Sequence, residues 1–168
     1  MLEKIEHLIA EWQEALGNQV QVLLGGSLVS GLFVTEGAEV IDVDVRFLVD
    51  DPQDEQIRQQ IEAVTGLVYR KTIPVADWPS GESLGVMVEG KLTHPELPLP
   101  LDVEGCIRNK AYIGWAKFYR LVLTETELAD LLRRKAELRS DKKAYKAFKS
   151  EIRDEVERRA IAAGLVSR

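Results

Sequence analysis

Two short groups of residues in this chain have the types and spacing of a reaction site. The first is Asp42-Val43-Asp44, followed by Arg46, within IDVDVRF. Read as a strand, residues 41–47 alternate: Ile41, Val43, Val45 and Phe47 take one side, and Asp42, Asp44 and Arg46 take the other. The two carboxylates then stand about 7 Å apart along the strand, from the rise per residue. On a surface otherwise shielded by protein they repel each other, and both stay ionised only beside a cation or in contact with water. Hard oxygen donors favour Mg²⁺, which completes its shell with phosphate oxygens. The second group is Gly25-Gly26-Ser27, a turn at the end of the apolar run VQVLL. Glycines let the backbone approach a ligand closely, and the N–H groups at the start of a following helix can cradle an anion. Phosphate at the turn and metal at the aspartates make a nucleotide site.

Gly25-Gly26-Ser27 followed by Asp42-Val43-Asp44 resembles the motif of the DNA polymerase β-type nucleotidyltransferase superfamily. Its members carry Gly-Gly or Gly-Ser, a short helix, and then Asp-x-Asp or Asp-x-Glu flanked by apolar residues. The resemblance implies a third carboxylate on a later strand. PLPLDVEGCI offers Asp102, with Leu101 and Val103 pointing to the opposite face. Glu104 shares the face of Asp102 and is the alternative; Asp102 is preferred because the family usually has Asp there, and Glu89 is a weaker candidate. The resemblance covers residues 20–105, and the interval between Gly26 and Asp42 is longer than in compact members. Each motif alone has a plainer reading. Gly-Gly is most often only a turn, and Asp-x-Asp is most often the solvated face of a half-exposed sheet. The three pieces in this order, with apolar parity on both carboxylate strands, point to the family.

The resemblance implies transfer of a nucleoside monophosphate from a nucleoside triphosphate, ATP first among them, to a hydroxyl acceptor, with release of pyrophosphate. Asp42, Asp44 and Asp102 would then be the catalytic and Mg²⁺-binding residues of a two-metal site. Gly25, Gly26 and Ser27 would hold the triphosphate. Arg46 would neutralise a phosphate oxygen, or would simply pair with a neighbouring acid. A second reading keeps the fold without catalysis: a nucleotide-binding or toxin–antitoxin-type interaction protein. Fold analogy does not choose the acceptor.

A chain of 168 residues with 45% apolar and 30% charged residues is long enough to bury one core and has an ordinary soluble composition. The net charge of −6 does not imply a broad nucleic-acid surface, so a small-molecule or protein acceptor is expected before a long nucleic acid. The charge is uneven. From Thr124 onward there are 12 Lys and Arg against 9 Asp and Glu, leaving 10 against 19 in the rest. A single cysteine, Cys106, excludes an intrachain disulfide and a multi-cysteine zinc site. No apolar run reaches the length of a membrane span, and the N-terminus has no secretory pattern. A cytoplasmic protein is expected, with a homodimer compatible.

The elements that must position these residues follow from periodicity. Residues 2–16 repeat apolar positions at helical spacing (Leu2, Ile5, Leu8, Ile9, Trp12, Leu16), with Gly17 as a stop. A strand over 19–24 leads to the glycine turn, a short helix runs from Ser27 to Val34, and Thr35–Glu39 is a polar loop. A helix over 53–64 follows the aspartate strand, with Asp50 and Asp51 as caps and dipole partners rather than metal ligands. Residues 67–74 and 84–92 read as strands joined by a turn carrying Trp78. THPELPLP, with His94 at the surface, is an extended approach to Asp102. The aromatic and basic stretch 109–122 reads chiefly as a hinge, with substrate contact as the second reading. Thr124 to Glu127 is a capping box. It starts a helix to about Arg139, and Ser140 or Asp141 caps another to Ala163, giving a helical hairpin or one kinked helix. Lys142, Lys143, Lys146 and Lys149 form a basic run that reads as a solvated face. The fold expected is α+β: a nucleotidyltransferase-like mixed or antiparallel sheet with helices on one face in residues 1–108, and a C-terminal helical hairpin in residues 109–168 packed on it.

Overall fold

The computed structural model describes residues 2–32, 42–76, 81–97 and 102–167. Ile41, the Thr35–Glu39 loop, Trp78 and Leu101 lie outside the described residues. The chain divides into two compact units, Met1–Leu24 with Gly37–Ile113, and Gly25–Glu36 with Gly114–Arg168.

The first unit is built on a five-stranded mixed sheet. Its strands are β1 (Gln21–Gly25, the last residue opening the second unit), β2 (Asp42–Val49), β3 (Leu67–Ala76), β4 (Ser83–Leu92) and β5 (Asp102–Asn109), in spatial order β1-β2-β5-β4-β3. β2 and β5 run parallel at its centre, and β5–β4 and β4–β3 are antiparallel. Val43, Val45, Phe47, Val103 and Ile107 are buried on one face. Helix α1 (Leu2–Leu16) lays its apolar stripe there, with the Trp12 and Phe47 rings 6.3 Å apart between centroids. Gln13 fixes the end of this helix to the sheet: its amide donates to the Val20 carbonyl at 2.9 Å and accepts from the Val22 N–H at 2.8 Å. Each of those backbone groups would otherwise need water.

Three local expectations are corrected. The cap of the next helix, which we number α3 (Glu55–Thr65), is Asp54, whose carboxylate accepts from the N–H groups of Gln56 and Ile57. Asp51 instead closes the preceding turn by accepting from the Gln53 N–H, and Asp50 pairs with Lys110 at 3.3 Å. The Asp nearest the first helical residue is the one that can reach its orphan donors. His94 is half-buried with its ring edge against Trp12 at 5.8 Å, because the Pro-rich loop folds back under α1 rather than out into water. The helix after the glycine turn, α2, spans only Gly26–Ser30; Gly31 at φ 80 takes the left-handed position that ends it.

The second unit is helical apart from its connections. A 3₁₀ turn, Trp115–Phe118, runs into α4 (Tyr119–Val122), then α5 (Glu125–Glu137) and α6 (Lys142–Ala162) form the hairpin. Thr124 and Glu127 make the capping box in both directions, and Asp141 caps α6. Phe148, Ile152, Val156 and Ala160 form the buried face of α6. Glu157 is buried with them, a carboxylate that helical spacing alone did not single out. The aromatic residues of the preceding stretch are engaged internally. The Trp115 and Phe118 rings pack 5.5 Å apart, and in the first unit Arg108 lies 4.1 Å over the Tyr112 ring.

Candidate functional site

The β2–β5 pairing determines where the acids lie. In the parallel register Asp42 stands opposite Asp102, Asp44 opposite Glu104 and Arg46 opposite Cys106. Paired residues on neighbouring strands present their side chains to the same face. Asp42, Asp44, Asp102 and Glu104 therefore share one face of the central strands, while Val43, Val45, Val103 and Gly105 take the buried one. β4 adds Glu89 opposite Cys106 and Lys91 opposite Glu104. Of the three candidates for the third carboxylate, two are thus beside the first pair, Asp102 next to Asp42 and Glu104 next to Asp44, while Glu89 lies one strand further out, opposite Cys106.

The protein's own cations are distributed among these acids. Arg46 Nη2 lies 3.2 Å from Asp44 Oδ1, with the Arg46 side chain 18% exposed. Burial is the largest single effect and works against the Arg46 charge, but Asp44, Cys106 and Tyr112 together outweigh it and the pKa is raised overall. Lys91 Nζ pairs with Asp102 Oδ1, and Lys71 with Glu89 at 2.9 Å. Lys91 went unremarked in the sequence, although the alternation of Glu89, Lys91 along LGVMVEGKL carried the signal. Between Arg46 and Arg108 sits the buried thiol of Cys106. Burial pushes its pKa up, against the pull of the two arginines, and its Sγ is 3.7 Å from Met87 Sδ.

The donor chemistry suits a hard divalent ion, since every acid on the face offers carboxylate oxygen. The side chains as placed do not converge: among the described residues no three His, Cys, Asp or Glu form a group that could hold a metal ion. Asp44 and Asp102 are turned to Arg46 and Lys91 instead. The backbone register brings the carboxylates together, and rotation of the side chains away from these partners would be needed to close a metal shell.

In the second unit, Gly25 is extended and Gly26 has φ 63, a left-handed conformation that favours glycine at that point of the turn. Ser27 is half-buried within α2, and its carbonyl accepts from the Gly31 N–H at 3.1 Å. With five residues, α2 has a short dipole, so any anion there would rest on local N–H groups.

No protein-family model matches the sequence, and no curated protein does. Among solved structures, a cytoplasmic RNA terminal U-transferase aligns with a TM-score of 0.51 at 14% identity, over 82% of this chain and 40% of that one. The Cid1 poly(U) polymerase, in a structure with Mg and 3'-dATP bound, gives a TM-score of 0.46 at 14% identity, over 80% of this chain and 41% of that one. The chain spans 40% and 41% of the lengths of these two proteins. At such identity the likeness with a TM-score of 0.51 shows the fold alone: over 82% of its length the chain shares the architecture of that RNA terminal U-transferase.

Proposed function

We infer that the chain is a nucleotidyltransferase, moving a nucleoside monophosphate from a nucleoside triphosphate, ATP first, to a hydroxyl acceptor. The observation that carries this reading is the in-register placement of Asp42 beside Asp102 and Asp44 beside Glu104 on one face of two parallel strands. Asp42, Asp44 and Asp102 are the residues that would hold Mg²⁺, with Glu104 as the alternative third ligand. A bound Mg²⁺ supplies charge neutralisation for the attacking and leaving oxygens of an in-line displacement. Asp102 would either hold a second Mg²⁺ or take the proton of the acceptor hydroxyl as the hydroxyl oxygen attacks the α-phosphorus. The bond from that phosphorus to the β-phosphate oxygen breaks, and pyrophosphate leaves. The roles of Gly25, Gly26 and Ser27 are to bind triphosphate oxygens through backbone N–H groups. Arg46 balances Asp44 and is a further phosphate contact.

A thermal-shift screen of nucleoside triphosphates with and without Mg²⁺ tests the reading. Ligand at about 100 times its Kd should stabilise the fold by about 2.7 kcal/mol, and only when Mg²⁺ is present. Asp42→Ala should lose both this stabilisation and the transfer of radiolabelled AMP. Its unliganded melting temperature should change little, since Asp42 is exposed at the first position of β2. Full activity in Asp42→Ala rejects the assignment.

The pairing of Asp44 with Arg46 and of Asp102 with Lys91 favours one second reading, a non-catalytic nucleotide-binding or interaction protein whose acids are neutralised internally. Binding without turnover across the four nucleotides and many hydroxyl acceptors would select it.

A further inference from the structure

Charge on the hairpin is segregated. Between Arg133 and Lys149, eight of seventeen residues are Lys or Arg and two, Glu137 and Asp141, are acidic, a local balance of +6 in a chain whose total is −6. Lys142, Lys146, Lys149 and Arg153 follow one another at intervals of four, three and four residues along α6, and all are exposed. Residues so spaced lie in one row on a helix, with steps of about 4.5–6 Å from the rise of ~1.5 Å per residue.

The hairpin's arginines and the lysines of its tip differ in their partners. Arg133, Arg153, Arg158 and Arg159 each pair with a carboxylate. Among the described residues Lys142, Lys143, Lys146 and Lys149 pair with none; Lys149 lies 5.5 Å over the Tyr145 ring. Like charges held in a row without counter-ions repel one another, and an external polyanion relieves the repulsion.

The surroundings of the row select the kind of polyanion. A helix that lies on a membrane needs exposed bulky apolar residues beside its cations, and a protein interface needs apolar or aromatic anchors at its centre. Among the described residues the exposed large apolar ones, Leu23, Val68, Leu121, Ile161 and Leu165, all fall outside 133–153. What the row offers is regularly repeated positive charge alone, which suits regularly repeated phosphate.

We propose that the tip of the α5–α6 hairpin, led by Lys142, Lys146 and Lys149, is a binding surface for the phosphodiester backbone of nucleic acid. It engages about three or four phosphates, one for each cation of the row, without reading bases. The surface shares no residue with the carboxylate face and needs neither nucleotide nor Mg²⁺, so its test does not depend on transferase activity.

The test is fluorescence anisotropy of labelled oligo(U) and oligo(dT), about 20 nucleotides long, titrated with the whole chain without Mg²⁺ or nucleotide, from about 50 to about 200 mM salt. Both oligomers should bind, with log K falling against log salt at a slope of about −2 to −3, from ~0.7 per phosphate contacted. The triple variant Lys142→Glu/Lys146→Glu/Lys149→Glu should weaken binding at least tenfold and flatten the slope, and the corresponding triple Gln variant should fall between. Circular dichroism of the variants should match the wild type, since the altered side chains are exposed. No binding at the lowest salt, or affinity and slope unchanged in the Gln variant, overturns the proposal. So does tighter binding to phosphatidylserine vesicles or to a poly-Glu peptide than to either oligomer.

Discussion

The Glu127 carboxylate takes two hydrogen bonds from the Arg159 guanidinium, at 2.8 and 3.1 Å, and one from the Thr124 N–H at 2.8 Å. These hold its pKa down, from an ordinary 4.5 to about 2, with the Arg159 bonds the largest cause and the Thr124 bond next. A carboxylate whose pKa is lower folded than unfolded stabilises the fold fully above its unfolded value. That stabilisation is lost as pH falls through the folded one. The hairpin should therefore weaken progressively from about pH 4.5 down to about pH 2. Denaturant melts across that range should show a shallower decline in Glu127→Gln than in the wild type. The capping box behind this prediction was readable from Thr124-Glu125-Thr126-Glu127 alone, because its partners are three residues apart. Arg159 was not, since it lies thirty-two positions away and only the fold brings it to Glu127. The carboxylate face shows the same division. The parity of Asp42 and Asp44 is local and legible, whereas the pairing of Lys91 with Asp102 depends on β4 meeting β5.

Between strands, backbone proximity decides what a position tolerates. A Cβ at Gly90 in β4 would run into the backbone carbonyl of Val68, whereas one at Gly105 in β5 would meet Leu67 Cδ1 at 2.5 Å, the far end of a flexible side chain. A side chain can rotate away and a paired strand cannot. Gly90→Ala should therefore cost about 1–3 kcal/mol of stability, as overpacking does, and Gly105→Ala should cost less. Urea denaturation of the two variants side by side measures the difference, and the reverse order would contradict the register of β3 on β4. The elements themselves were largely legible: α1, α3 and the five strands follow from periodicity and from Gly17 and Gly66 as stops. Ends set by one residue's conformation were harder to read. The stop of α2 at Gly31 was hidden because the apolar run GLFV beyond Ser30 continues a helical pattern while the backbone at Gly31 turns left-handed.

Across the whole molecule, averages conceal arrangement. A net charge of −6 gave no hint that a +6 cluster gathers on one hairpin tip, because the sum does not record position. The grouping of the chain into units has the same character, since the second unit takes Gly25–Glu36 from within the span of the first. Leu32 and Ser30 are buried, Lys135 donates to the Leu32 carbonyl, and a Cβ at Gly31 would meet the Arg120 guanidinium at 2.9 Å. A chain stopped after Ile113 loses Arg120 and Lys135 together. Limited proteolysis of that truncation should cut between Gly25 and Leu32 well before the full-length protein is cut there; equal resistance would show that the segment holds its shape unaided. Because this piece of polypeptide leaves one body for the other and comes back, no single scissor cut separates them. Anyone wishing to transplant or delete the helical part must first re-splice the chain, joining residues on either side of the excursion, before a terminal deletion can be clean.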